Sequence, residues 1–251
     1  MSRAIELYAR ATPGHEERVA ETAALLRSAA DRHAGRIVFT TSLGAEDMVL
    51  TALIAQHRLP IALATLQTGR LHAQTLALMD QTEAQYGLAI ERWEPAAEAV
   101  ISFTRQHGEL PMRQSIELRK ACCGLRKVEP LSRALAGRTA WVTGLRREQS
   151  DARAELPVSS VDEHGREKLN PLAAWSQTDV WHFIAHHGVP YNPLHDAFYP
   201  SIGCEPCTRA VALGEDIRAG RWWWEQEDAK ECGLHVSTVS AAPAAFNKET
   251  A

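Results

Sequence analysis

The sequence predicts an α/β fold: a doubly wound, mainly parallel sheet with helices on both faces. Three observations carry this. Short apolar, β-rich runs alternate with longer stretches whose apolar residues recur at three and four. The runs are bounded by glycine or polar turns. The alternation persists from about residue 15 to about residue 188, the pattern of strands joined by right-handed helical crossovers.

The elements follow in order. Residues 15–33 carry Val19, Ala23, Leu26 and Ala30 on one helical face. "RIVFTTSL" (36–43) is a strand, and after Gly44 "AEDMVLTALIAQHR" resumes helical spacing. "IALATL" (61–66) is a second strand, broken at Thr68-Gly69 before a helix over 71–86. "LAIERWE" is a third strand, followed by a helix that Gly108 ends. "TAWVTGL" (139–145) is a fourth strand, and "SQTDVWHFIAHHG" is a helix with Ser176 as N-cap and Gly188 as stop. From 189 the pattern fails: "VPYNPLHDAFYPSIGCEPC" holds four prolines and reads as an ordered loop. In such sheets ligands lie beyond the carboxyl ends of the strands, which points to 42–47, 67–72 and 144–153. The expected organisation is one domain over 1–221 and a C-terminal tail over 222–251.

Bulk composition narrows the function classes. The 251 residues carry 31 acidic against 27 Lys plus Arg, for a formal charge of −4. That disfavours a nonspecific nucleic-acid binder. No apolar run reaches the roughly 18 residues of a membrane span, and the first twenty residues are too charged for a secretory signal. A cytoplasmic protein is expected. There, paired cysteines are more often metal ligands or redox groups than structural disulfides.

The five cysteines fall as two, two and one: Cys122-Cys123, Cys204-x-x-Cys207, and Cys232. The two pairs suggest a four-thiolate site, for zinc or for an iron–sulfur cluster. Adjacent ligands must splay apart, which a wide 4Fe–4S cube accommodates better than one small ion. The plainer alternative is a pair of buried thiols near a helix start. Lys127 lies four residues after Cys123, on the same helical face. Arg218 and Arg221, three apart, could present a paired fork to an anion. Ser42 and Gly44 stand where a strand turns into a helix whose amides could receive one. Arg70, Arg146 and Arg147 are either anion contacts or solvated charges. Trp222, Trp223 and Trp224 read as packing of a C-terminal helix, with a hinge or gate as the alternative.

Six segments, "CCGLRKVEPL", "VTGLRREQS", "YNPLHD", "YPSIGCEPCTRAV", "RWWWE" and "KECGLH", closely resemble in this order the assimilatory adenylyl-sulfate (APS) reductases. "GAEDMVL" and "TGRLH" match too, and the resemblance spans roughly 35–236. It implies the adenine nucleotide alpha hydrolase-like fold shared with PP-loop enzymes, with a modified PP-loop at Ser42 and Gly44. It also implies that Cys122, Cys123, Cys204 and Cys207 hold a 4Fe–4S cluster. Reduction of APS to sulfite and AMP is implied, with thioredoxin or a similar dithiol protein as partner. Lys127, Arg153, Arg218 and Arg221 would contact the phosphosulfate. Cys232, flanked by Lys230 and His235, would capture the sulfonate as a thiosulfonate, and a mobile tail would carry it to the partner. Cationic neighbours favour the reactive thiolate. The sequence departs from the family pattern at Gln67, where an aspartate usually precedes "TGR". The rivals are a phosphoadenylyl-sulfate (PAPS) or dual-specificity reductase, a PP-loop ATPase, and a zinc-binding interaction module. The oligomeric state, including a homo-oligomer, is left open.

Overall fold

The structure is a computed structural model and describes residues 3–225. Six strands form one sheet in the order β3-β2-β1-β4-β6-β5. The strands are β1 (Ile37–Thr40), β2 (Ala62–Leu66), β3 (Ile90–Trp93), β4 (Ala140–Val142), β5 (Ser159–Val161) and β6 (Glu167–Leu169). Every neighbouring pair is parallel except β5–β6, an antiparallel pair at the edge. The chain builds outward from β1 through β2 to β3, then returns to place β4 on β1's other side. The order therefore reverses between β1 and β4, and that switch point opens a crevice at the strands' carboxyl ends.

Alternation along β1 shows why both faces are covered. Ile37 and Phe39 pack into a large core with helices α2 (His15–Arg32), α3 (Ala45–Gln56), α4 (Ala73–Tyr86) and α8 (Gln177–His187). Val38 points the other way, into a smaller cluster with Leu131 and Leu135 at α7 (Glu129–Ala134) and Trp141 of β4. Helix α3 is buried nearly all round, with nine buried residues from Ala45 to Ile54. It thus lacks a polar face, as expected for a helix enclosed by its neighbours. Ser176 caps α8 by accepting from the Asp179 amide, and Asp179 returns the bond to Ser176. Arg18 (2.8 Å) and Thr12 also donate to Asp179, which ties the start of α2 to the start of α8. Burial works against that carboxyl's charge, but these hydrogen bonds outweigh it and hold Asp179 well below the usual carboxylate range.

The predicted fold class is the one observed, with additions. The short pair β5–β6 was not read from the sequence, because "SSV" and "EKL" are three-residue, partly exposed segments with little apolar signal. Helix α1 (Arg3–Tyr8) was likewise not read, nor, after α5 (Ala97–His107), was the helical run formed by α6 (Ile116–Cys123), a π-helical turn over Gly124–Val128 and α7. The loop after 189 holds two short 3₁₀ turns, Pro193–Ala197 and Glu205–Cys207. Among the described residues no helix is long and apolar enough to cross a membrane.

Candidate active site

A cavity of about 250 Å³ opens beyond the carboxyl ends of β1, β2 and β4. Residues from all three predicted segments, 42–47, 67–72 and 144–153, line it. Its floor is the turn from β1 into α3. Leu43, at that turn, is buried in the left-handed region at φ 60°, a conformation that costs a branched residue about 1 kcal/mol or more and tends to mark functional turns. Ser42 donates from both its amide and its hydroxyl to Asp47 at 2.6 Å, so the serine holds the turn rather than pointing freely outward. Gly144, after β4, must be glycine: a Cβ there would stand 2.1 Å from an Asp47 carboxylate oxygen. Glu46 takes the buried Arg146 guanidinium at 2.9 Å and the Gln149 amide at 3.0 Å. Burial opposes ionisation of Glu46, yet the adjacent Arg146 wins and keeps the carboxyl below its ordinary range.

The lining also carries cations. Lys127, Arg153, Arg218 and Arg221 all belong to it. Arg221 is buried, donates to Ser201 at 3.3 Å and stacks 4.7 Å from the Trp222 ring. It lies so close over Gly203 that a Cβ there would meet its guanidinium at 2.6 Å. That absent side chain lets the arginine reach across the loop bearing Cys204.

Cys204 itself also lines the cavity. Behind it, Cys122, Cys204 and Cys207 are buried in one cluster with Met112 and Trp222, against which Cys123 packs. Two local structures bring the pairs together. Helix α6, capped by Ser115, runs to Cys123, and the π turn then widens the helix so that its side chains are redirected. Cys204 bridges to Leu71 beside β2, and a 3₁₀ turn brings the Cys207 amide to the Cys204 carbonyl at 2.9 Å. Two contacts bind these pieces: Thr68 Oγ1 lies 3.3 Å from Cys204 Sγ, and buried Arg126 donates to the Thr68 carbonyl at 2.7 Å. Burial, reinforced by Cys204, pushes the Cys207 thiol up to about 11, while Lys127 and Arg221 pull the other way. Burial raises Cys122 too. A metal centre would reverse this, since coordination deprotonates a thiol outright. The described residues hold no group of three His, Cys, Asp or Glu donors arranged to grip a metal ion.

Residues 36–210 match the phosphoadenosine phosphosulfate reductase domain. The chain belongs to that reductase family. It is 57% identical over 217 residues to the adenosine 5'-phosphosulfate reductase of Allochromatium vinosum, covering 86% of this chain and 85% of that protein. The enzyme of the same name from Burkholderia cepacia is 52% identical over 234 residues, 93% of each chain. Among solved structures, the phosphoadenylyl-sulfate reductase of Candida auris superposes with a TM-score of 0.65 at 27% identity, covering 81% of this chain and 98% of that one. An FMN adenylyltransferase from Candida glabrata aligns with a TM-score of 0.55 at 14% identity, a likeness of fold alone.

The family match contains all four clustered cysteines and ends before Arg218, Arg221 and Cys232. Of the residues singled out in the sequence, Ser42, Gly44, Lys127, Arg146, Arg153, Arg218 and Arg221 line the cavity. Arg146 reaches it as a buried partner of Glu46, with further bonds to Glu148 and to the Trp175 carbonyl, and so is neither a solvated charge nor an open fork. Arg70 and Arg147 are not among the lining residues: Arg70 pairs with Glu109 at 2.6 Å and Arg147 donates to the Leu156 carbonyl. Gln67 caps its own turn by accepting from the Gly69 amide. The adjacent cysteines close α6 where it runs on into the π turn, and so do not stand at a helix start. Trp222 packs on the cysteines from a turn, not from a C-terminal helix. Cys232 and His235 lie outside the described residues. Sequence reasoning passed over Glu46, Asp47, Thr68 and His195. "GAEDM" was visible as a motif, but the burial that gives its carboxylates their roles was not.

Asp47 has a measurable consequence. Burial pushes its carboxyl up to about 6 from an ordinary 3.8, against the two Ser42 hydrogen bonds. The folded protein therefore takes up this proton at higher pH than the unfolded chain, and stability from this group grows as pH falls through about 6. Paired melts of the wild type and Asp47→Asn should show the wild type gaining on the variant between about pH 7 and about pH 5. A stability difference that stays constant over that interval would refute the assignment.

Proposed function

We propose that this chain reduces adenosine 5'-phosphosulfate to sulfite and AMP in the cytoplasm, within assimilatory sulfate reduction, with thioredoxin or a similar dithiol protein as electron donor. The observation that carries the reading is a juxtaposition. Four cysteines from two distant segments cluster beside a nucleotide-sized cavity that Cys204 reaches, and Lys127, Arg218 and Arg221 line the same cavity. The relatives' names support the choice of nucleotide.

The clustered thiols fit the implied 4Fe–4S group in number and chemistry: four sulfurs, one apolar pocket, and burial that penalises the uncoordinated thiolates of Cys122 and Cys207. Cys122, Cys123, Cys204 and Cys207 would hold it. Bound there, it would order the segment bearing Lys127 and shape the local field without changing oxidation state. The chain's own residues carry the steps. Lys127, Arg153, Arg218 and Arg221 take the phosphosulfate oxygens and offset the charge that grows on the departing phosphate. The Cys232 thiolate attacks the sulfonate sulfur, the S–O bond breaks, and AMP leaves with the electron pair. His235, three residues away, favours the thiolate. A thioredoxin thiolate then attacks the Cys232 sulfur and expels sulfite. The partner's second thiol displaces Cys232, so two electrons pass and the partner leaves as a disulfide.

Incubating the anaerobically purified protein with APS and no reductant should add one sulfonate, on the peptide containing Cys232. Iron and sulfide analysis of the same sample should find both. An unmodified Cys232 peptide, or an iron-free protein with full activity, would sink the reading. The likeness to the Candida auris enzyme keeps PAPS as a second substrate to test. Sulfite formed from equal APS and PAPS in competition separates the two.

A further inference from the structure

His195 lines the cavity at 7% exposure, and nothing in the reaction above uses it. Its position is fixed from several sides. Asn192 caps its 3₁₀ turn by accepting from the Leu194 amide and donates to Thr75 at 2.9 Å. The imidazole stands edge-on to Trp181, with ring centres 5.1 Å apart. Neither Nδ1 nor Nε2 meets a protein partner in hydrogen-bonding geometry. The Tyr199 backbone approaches closely enough to favour a charged ring, but short of a formed hydrogen bond. A polar group buried this deeply without a partner bears its full desolvation cost, which a ligand in the cavity would relieve.

The chemistry of that ligand follows from charge. Burial pushes His195 down to about 4, so near neutral pH the ring is uncharged, with one N–H donor and one acceptor lone pair. The charged groups acting on it are carboxylates, Glu46 and Asp196. A hydroxyl, itself donor and acceptor, suits such a place. A phosphate beside two carboxylates and a neutral ring does not. Of the cations that would hold a phosphosulfate, Lys127 and Arg221 act on Cys207 and so stand at the cysteine side.

We propose that His195 hydrogen-bonds the ribose hydroxyl edge of the bound nucleotide and so selects ligands whose 3'-hydroxyl is free over those carrying a 3'-phosphate. This rests on the reductase reading for the kind of ligand, and nucleotide binding without turnover tests it separately.

The experiment is calorimetric titration of the intact protein with AMP, 2'-deoxy-AMP, 3'-deoxy-AMP and adenosine 3',5'-bisphosphate. At least one deoxy form should bind the wild type about tenfold more weakly than AMP. In His195→Phe that loss should vanish, AMP should weaken by about the same factor, and the preference for AMP over the bisphosphate should shrink. His195→Gln, which keeps a donor and an acceptor, should recover part of the AMP affinity. The proposal is overturned if both deoxy forms bind the wild type as AMP does, or if the Phe variant weakens every ligand equally. If the Phe variant does not fold, the wild-type ligand series and His195→Gln still decide. AMP binding as expected with no sulfite formed from APS would remove the reductase reading and leave this assignment standing.

Discussion

Replacing Cys232 with serine is expected to lower sulfite release from APS by more than about 10³-fold while leaving AMP affinity and iron content unchanged. The size follows from two chemical facts. A serine hydroxyl is scarcely ionised near neutral pH, whereas a thiol beside cations is partly thiolate and intrinsically the softer nucleophile toward sulfur. A serine that did capture the group would form a sulfate ester, which a thioredoxin thiolate cannot open by attack on sulfur. Both half-reactions therefore fail together, and no excess of reductant should rescue them. Among the described residues the cavity is lined from Thr40 to Trp222, and the serine keeps the size of the cysteine it replaces, so nucleotide affinity should be retained. A sulfite assay, AMP titration and metal analysis on one preparation check all three parts. Sulfite release within about tenfold of the wild type would assign the displacement to another group.

Truncating Arg119 to leucine is expected to cost about 3–5 kcal/mol of stability, because it breaks a buried ion pair from one side. Arg119 Nε donates to Glu225 at 2.6 Å, and the two side chains are 0% and 3% exposed. The Arg119 guanidinium also lies 4.6 Å from the Trp222 ring. The pair thus fastens residues 222–225 to α6, the helix that ends in Cys122 and Cys123. Glu225 already has one carboxylate oxygen buried without a hydrogen-bond partner, so losing Arg119 strands the whole charge. Arg119→Leu combined with Glu225→Leu removes both charges and should recover most of the loss. Denaturant unfolding of the two variants and the wild type, prepared in the same way, makes the comparison. A single variant within about 1 kcal/mol of the wild type would show the pair to be dispensable, and a double variant as unstable as the single would show that packing, not charge, is at stake.

How much of this was legible beforehand depends on the range of the forces involved. The helices at 15–32, 45–56, 73–86 and 177–187 lie within a few residues of where periodicity and caps put them, because a helix start or a buried face is written within one or two turns of chain. The pair β5–β6 escaped notice because an edge strand of three residues needs no apolar alternation to be held. The π turn after Cys123 was equally silent: Arg126 within it is held by the Thr68 carbonyl after β2, a contact between segments 58 residues apart.

The arginines divide for the same reason. Arg146 and Arg147 are neighbours in one motif, yet one is buried on Glu46 and the other lies exposed on a loop carbonyl. What buries the first is Glu46, a hundred residues away in the chain. Asp47 is five residues from Ser42, but its burial depends on Gly144, almost a hundred residues away. By itself, then, the sequence determined the alternating α/β order, the crevice at the strand ends and the pairing of four cysteines with one left over. These are local patterns of period and spacing. Only the tertiary structure decided which cations face the cavity, which carboxylates hold its floor, and that an uncharged imidazole waits among them. The partner of a buried charge is set by segments that meet across the fold, and solvation is a property of that meeting rather than of the residue.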